Sequence, residues 1–254
     1  MRSGAAVRSI SPRSLFSSVF LAVVVVSSTL AACASQSLDG GSRHGFFVRS
    51  ALAPPVHPTD GGGCRYTADP NAAALFEGRS DLGISDSYDL TLLAQDTETT
   101  ASTSITSAHV VLRTPSQEMI REFEAVTNGF IGPGAVGIAS VTVIDAPSRD
   151  LLLETLPNRV VSRTVVADVT LRGRDAAGGP EVSTPIFSFA IKVCNGCLVD
   201  FSTGNDPTAP KQPNCLRPAD PIAPRPCATG QDEAVSCQLC VSTRPACDPL
   251  ALAP

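Results

Sequence analysis

Phe187-Ser188-Phe189-Ala190-Ile191-Lys192-Val193-Cys194-Asn195-Gly196-Cys197-Leu198 is the stretch whose reading decides the fold. Phe187, Phe189, Ile191 and Val193 alternate with Ser188, Ala190 and Lys192. Period two in β-branched and aromatic residues marks a strand buried on one face. The same alternation recurs at Tyr88, Leu90 and Leu92, at Val141 and Val143, and at Val165, Ala167, Val169 and Leu171. Ile105 to Arg113 adds a further strand, and Gly173 to Pro180, with Gly178-Gly179, reads as a hairpin loop. Five or more such strands predict an all-β fold, an antiparallel β-sandwich.

In architecture this pattern resembles immunoglobulin and fibronectin type III domains. The likeness is architectural, because the chain has no tryptophan and so no Cys-Trp-Cys signature. Two segments are compatible with short helices within it, and each could instead be a strand. Thr114-Pro115-Ser116-Gln117 has a capping threonine, a proline in the first turn and a glutamine three residues on. Met119, Phe123 and Val126 then share a helical face, and Asn128-Gly129 could end the helix. Ser148 to Leu156 is compatible with a second short helix.

Asn195-Gly196 is the preferred two-residue hairpin loop. The expectation is therefore that Cys194 and Cys197 face each other across a turn leading into a strand from Leu198 to Phe201. They would either bond together or both reach into the segment beyond. That segment, 202–254, carries nearly half of the 21 prolines, a density that forbids long helices and central strands. Covalent cross-links are what remain to shape it.

How the cysteines are read depends on the compartment, and the N-terminus addresses that. Arg2, Arg8 and Arg13 precede an apolar run from Leu15 to Val26, which is shorter than the about 20 residues of a membrane span. Ser27, Ser28 and Thr29 then lead to Leu30-Ala31-Ala32-Cys33, which resembles the lipobox of bacterial lipoproteins. That resemblance implies cleavage before Cys33, lipidation of Cys33 by a diacylglycerol thioether and an amide-linked acyl chain, and firm anchoring to a lipid bilayer. Ala34 after the cysteine favours the outer membrane of a Gram-negative cell envelope. The expected organisation is a signal peptide at 1–32, a flexible Gly/Ser/Pro tether at 33–63, a β-sandwich at 64–201 and a Cys/Pro-rich extension at 202–254. Phe46, Phe47 and Val48 are the apolar exception within the tether, able to dock on the domain or the lipid.

Export predicts disulfides. Setting Cys33 aside, Cys64, Cys194, Cys197, Cys215, Cys227, Cys237, Cys240 and Cys247 make an even set with 105 possible pairings, so connectivity stays open. The alternative is a zinc or redox module in which Cys194, Cys197, Cys237 and Cys240 supply thiolates from two CxxC pairs. Those pairs stand farther apart than the about 15–20 residues usual for zinc ribbons, and no strand-helix pattern follows either one.

Other chemistry is sparse. The full chain has a formal net charge of −5, and loss of the three leader arginines makes the exported part more acidic. Nucleic acid is therefore not an expected partner, since it demands clustered Lys and Arg. Gly132 to Gly137 spells GxGxxG, but a strand from Ile138 to Ile144 follows, so the run is a glycine-rich turn and not a dinucleotide site. Of three histidines, His44 and His57 fall in the tether, so a hydrolase would rest on His109 with a nucleophile beside it. Asp86 and Asp89 could take calcium, and Thr97 to Ser107 could be a loop or a glycosylated patch. No cofactor is called for.

The lipobox, the Phe187–Leu198 segment, Cys237-Gln238-Leu239-Cys240 and Cys247-Asp248-Pro249 are together similar to the uncharacterised cysteine-rich lipoproteins of myxobacteria and related predatory Gram-negative bacteria. That resemblance implies a location and an architecture. The expected function is a non-catalytic binding or structural component of the envelope, with a protein or glycan partner.

Overall fold

The computed structural model describes residues 45–55, 64–156, 161–176, 178–200 and 227–237. Its elements run β1 (Phe47–Leu52), β2 (Ala74–Leu75), β3 (Glu77–Asp81), β4 (Tyr88–Gln95), β5 (Thr103–Arg113), β6 (Met119–Ile131), β7 (Val136–Ile144), α1 (Ala146–Leu153), β8 (Ser162–Asp175), β9 (Glu181–Ser183), β10 (Phe187–Cys194), β11 (Val199–Asp200) and β12 (Val235–Ser236). The protein is mostly β, as the alternation predicts. One sheet has the order β2-β1-β4-β7, and the other runs β3-β10-β8-β5-β6, with β9 paired to β8. Pairing is antiparallel except that β3 runs parallel to β10, and β11 parallel to β12.

Both sheets turn their apolar rows into one core. Leu90, Leu92, Val141 and Val143 enter it from the first sheet, and Val110, Leu112, Val169, Leu171 and Ile191 from the second. Each of these is at most 1% exposed, which follows from the period-two alternation of the strand. The outward row of the second sheet carries several ion pairs and hydrogen bonds. Arg113 pairs with Asp168, Ser188 Oγ donates to Asp168 Oδ1 at 2.6 Å, and Arg172 meets Glu124 at 3.0 Å.

Four sequence expectations need correcting. Met119 to Ile131 is strand β6 and not a helix. Thr114 does cap, but it caps a hairpin: its hydroxyl accepts the Glu118 N–H at 3.2 Å, while Thr114 N–H donates to Glu118 O at 2.9 Å. Gln117 in that turn has φ 71°, outside the helical region, and ten residues of β6 then register against β5. Second, the tether read at 33–63 contains β1, whose inner residues Ala51 and Leu52 are buried, and Phe46 just before it is 1% exposed. Phe46 therefore docks on the domain. Third, the loop read at Gly173 to Pro180 is shorter, since β8 runs through Asp175 and pairs with β9 from Arg174 opposite Glu181.

The fourth correction concerns the chain after Cys197. Leu198 onward does not fold back on β10 as a hairpin strand, because both sides of β10 are taken by β8 and β3. β11 instead pairs with β12 from the C-terminal extension. The turn itself keeps a left-handed glycine, Gly196, at φ 87°.

The helix expected near Ser148 is present as α1, starting two residues earlier. Asp145 is its N-cap, accepting from Ser148 N–H at 2.9 Å and from the Ser148 hydroxyl, with Pro147 in the first turn. Arg121 Nη2 adds a contact at 3.2 Å. Burial pushes the Asp145 carboxyl up, but the Ser148 hydrogen bonds and the Arg121 charge outweigh it and hold the group below its ordinary value. Such a group stabilises the fold above the ordinary carboxylate range, and the contribution is lost as pH falls through its folded value. Asp145→Ala is expected to cost about 1 kcal/mol in urea unfolding at neutral pH. The difference should narrow in acid, where the wild-type carboxylate is protonated too.

Candidate functional site

The cysteines, the buried carboxylates and the cavities carry the chemistry of this domain. Cys194 closes β10, and Asp81, at the end of β3, is its register partner across the parallel pair. Cys194 is bonded to Cys197, the first of the two arrangements the sequence leaves open. Asp81 is fully buried and reaches the turn between these cysteines. Its Oδ1 accepts the N–H of Gly196 at 2.6 Å and of Gly83 at 3.1 Å, and its Oδ2 accepts the N–H of Leu198 at 2.8 Å. No cation pairs with it among the described residues. Burial raises its carboxyl above the ordinary value, and the three backbone hydrogen bonds work against that rise.

Asp81 and the two sulfurs offer ligand atoms within 4.8 Å of one another. In the disulfide state the sulfurs are bonded to each other and provide no thiolate. Cys237 is also disulfide-bonded, while Cys240 lies outside the described residues. The four thiolates of the zinc alternative are therefore not gathered into one site among the residues described.

The second described disulfide, Cys64–Cys227, joins positions 163 residues apart. It ties the described piece of the extension, 227–237, to the segment before β2, and that piece lies against β3 and the start of β4. Gln231 Oε1 accepts Asp89 N–H and its Nε2 donates to Ser87 O, both at 3.0 Å. Asp232 accepts the Arg79 N–H at 2.8 Å and the Tyr88 hydroxyl at 3.0 Å. Burial raises the Asp232 carboxyl, and burial together with that carboxylate pushes Tyr88 far up, so its phenol stays a donor. Asp232 holds φ 59° to make these contacts. A small polar cavity of about 150 Å³ lies here between Tyr66, Asp89, Gln231 and Asp232. Cys215 and Cys247, like Cys33 and the whole lipobox, lie outside the described residues.

A larger cavity, about 570 Å³, opens beside α1. Met119, Ile120, Leu151, Leu152 and Val165 give it apolar walls, and Arg163 stands at its edge. Leu152 and Val165 belong to the core cluster, so the cavity reaches down to the core, while Met119 and Leu151 are 61% and 46% exposed. The volume falls in the usual range for ligand pockets, about 300–1,000 Å³. No local sequence pattern marks it, because its walls come from the hairpin turn, α1 and the start of β8.

The remaining sequence candidates are held by structural partners. His109 Nδ1 meets Glu124 at 2.9 Å and its Nε2 meets Glu122 at 3.2 Å. Both ring nitrogens are occupied by carboxylates, and neither cavity above is lined by it. Asp89 accepts from Thr142 at 2.6 Å and Asp86 lies 3.8 Å from Arg149, so each carboxylate has a partner within the fold. The GxGxxG spelling covers the β6–β7 turn, with Gly134 at φ 63°, and the first two residues of β7. Thr97 to Ser107 divides into a loop and the first half of β5.

No known protein family matches the chain, and no curated protein matches it. Solved structures give distant likenesses. A protein described as late embryogenesis abundant aligns with TM-score 0.34 and 13% identity over 63% of this chain and 76% of its own. A protein from Archaeoglobus fulgidus aligns with TM-score 0.28 and 9% identity over 42% and 86%, and one from Bordetella pertussis, described as ApaA, with TM-score 0.27 and 16% identity over 44% and 85%. At such scores and identities none of them carries a function to this chain.

Proposed function

We propose that this chain is an exported lipoprotein, anchored to the outer membrane through Cys33, whose immunoglobulin-like β-sandwich and disulfide-stapled extension form a non-catalytic binding module. The observation that carries the binding role is the apolar cavity beside α1. Its walls offer apolar contact area from Met119, Ile120, Leu151, Leu152 and Val165, and the polar groups beside them are Glu118, Arg163 and threonine hydroxyls, with no histidine or cysteine, whereas His109, Asp81 and Asp232 are engaged in structural contacts. Disulfides support the exported location, since they persist in oxidising compartments. The leader pattern and lipobox support the anchor.

Two measurements test this. In a Gram-negative host the full chain should partition with membranes, and Cys33→Ser should move it to the soluble fraction; a Cys33→Ser protein that stays with the membrane contradicts the anchor. The folded protein should bind a small apolar fluorophore, such as an anilinonaphthalene sulfonate, at one site. Thr155→Trp, which fills the cavity from α1's end, should weaken that binding at least tenfold while leaving the far-ultraviolet spectrum unchanged. Unchanged binding in this variant would remove the cavity from the account.

A further inference from the structure

We propose that Cys194–Cys197 is a thiol–disulfide exchange site, in which Cys197 takes the attack of an external thiolate and Cys194 is the leaving sulfur. Three observations carry this beyond a structural cross-link.

The two sulfurs differ in access. Cys194 is fully buried, with its Sγ 3.7 Å from Ser80 O, whereas Cys197 is half-exposed. The pair also closes a loop with a sequence separation of only 3, against 163 for Cys64–Cys227. Cross-links that close short loops add least to stability, so the fold depends on this one less than on Cys64–Cys227. Finally, the turn is held from behind without the disulfide. Asp81 accepts the N–H groups on both sides of Cys197, and Leu82 N–H donates to Cys194 O at 2.8 Å. Cys197 therefore keeps its place at the surface whether or not the sulfur bond is intact.

The substrate class is a free thiol, on a small molecule or on an exported protein. A thiolate attacks Cys197 Sγ. A new S–S bond forms to Cys197 as the Cys194–Cys197 bond breaks, and Cys194 departs as a thiolate that takes a proton from solvent. A second thiolate attacks the substrate sulfur of the mixed disulfide, releasing the substrate disulfide and a Cys197 thiolate that is protonated in turn. Two thiols are oxidised to one disulfide, and one protein disulfide is reduced to a dithiol.

The test exposes the folded chain to reduced glutathione, quenches with an alkylating agent at timed intervals and maps the labelled peptides. Cys197 should be labelled at least tenfold faster than Cys64 and Cys227, with the far-ultraviolet spectrum unchanged, and Cys194 should appear as a free thiol once the quenched protein is unfolded and labelled again. Equal rates, or labelling of Cys197 only on unfolding, would overturn the proposal. The roles are separated by single substitutions. Cys194→Ser should form a mixed disulfide with oxidised glutathione at Cys197, and Cys197→Ser should leave Cys194 unreactive in the folded state. Equal reactivity of the two would contradict the assignment. Repeating the exchange with a reduced cysteine peptide tells the sources apart: faster single-round oxidation of the peptide points to protein substrates, and faster single-round oxidation of glutathione to small thiols.

Discussion

Replacing both Cys64 and Cys227 with serine is expected to destabilise the protein by about 5 kcal/mol, the largest effect of any paired substitution considered. The cross-link spans 163 residues, and closing a loop of that order removes about 5 kcal/mol of chain entropy from the unfolded state. The effect should appear in urea unfolding as a large drop in midpoint, together with a steeper transition because the unfolded chain becomes more expanded. Breaking Cys194–Cys197 by the same substitutions should cost about 2 kcal/mol, since its loop is so short. The ordering carries the argument: if the two double variants lose similar stability, the long bridge is not what clasps the extension to the domain. Segment 227–237 has a second means of attachment, through Gln231 and Asp232 to β3 and β4. The serine variant should therefore still fold at low temperature.

Asp81→Ala is expected to destabilise by about 3 kcal/mol or more. Its carboxylate is the acceptor for Gly83, Gly196 and Leu198, and a buried N–H left without an acceptor costs about 1–3 kcal/mol. Asp81→Asn should be milder, near 1–2 kcal/mol. An asparagine oxygen in the Oδ1 position still serves Gly83 and Gly196, while its amide nitrogen meets the Leu198 N–H donor to donor. The two variants also separate the charge from the hydrogen bonds. Because burial holds the Asp81 carboxyl above its ordinary value, the folded state binds a proton that the unfolded state has lost between the ordinary and the raised value. Stability therefore falls as pH rises through that window. Asp81→Asn should lessen that fall, measured as urea midpoints across the window; an unchanged slope in the asparagine variant would assign it to another carboxyl, with Asp232, also raised, the first to test.

The strands legible in the sequence are those with large apolar residues on the buried face. β4, β7, β8 and β10 each put Leu, Val, Ile or aromatic residues inward and Thr, Ser, Asp or Lys outward, so period two is plain. β6 reverses that logic. Its inward residues are Ala125, Thr127 and Ile131, while Met119, Val126 and Phe130 are exposed, and the exposed apolar residues happen to fall at helical spacing. β1 is masked by the glycine and proline around it, which lower the apparent hydrophobicity of a segment whose Ala51 and Leu52 are in the interior. The start of α1 is local chemistry, an aspartate cap followed by proline, and so its helix is legible.

The site divides along the same line. The Cys194–Cys197 pair is visible because both partners lie within one motif. Asp81 carries no local signal: it is distinguished by amides 115 and 117 residues away, a distance that only the parallel β3–β10 pairing closes. The Cys64–Cys227 bridge is equally non-local, Cys227 being one of seven partners open to Cys64 among the eight cysteines. The cavity beside α1 arises from three separate segments and has no sequence signature at all.

The central claim, an exported and lipid-anchored module held by disulfides, is tested most directly by intact mass and free-thiol count on the protein isolated from the membrane fraction of a Gram-negative host, with disulfide mapping of its peptides. The account predicts a chain beginning at Cys33, heavier than its sequence by the mass of a diacylglycerol and an acyl chain, with no free thiol and with Cys64 joined to Cys227. A chain that retains Met1 and the leader, carries no lipid mass and titrates with free thiols at Cys64 and Cys227 would contradict it.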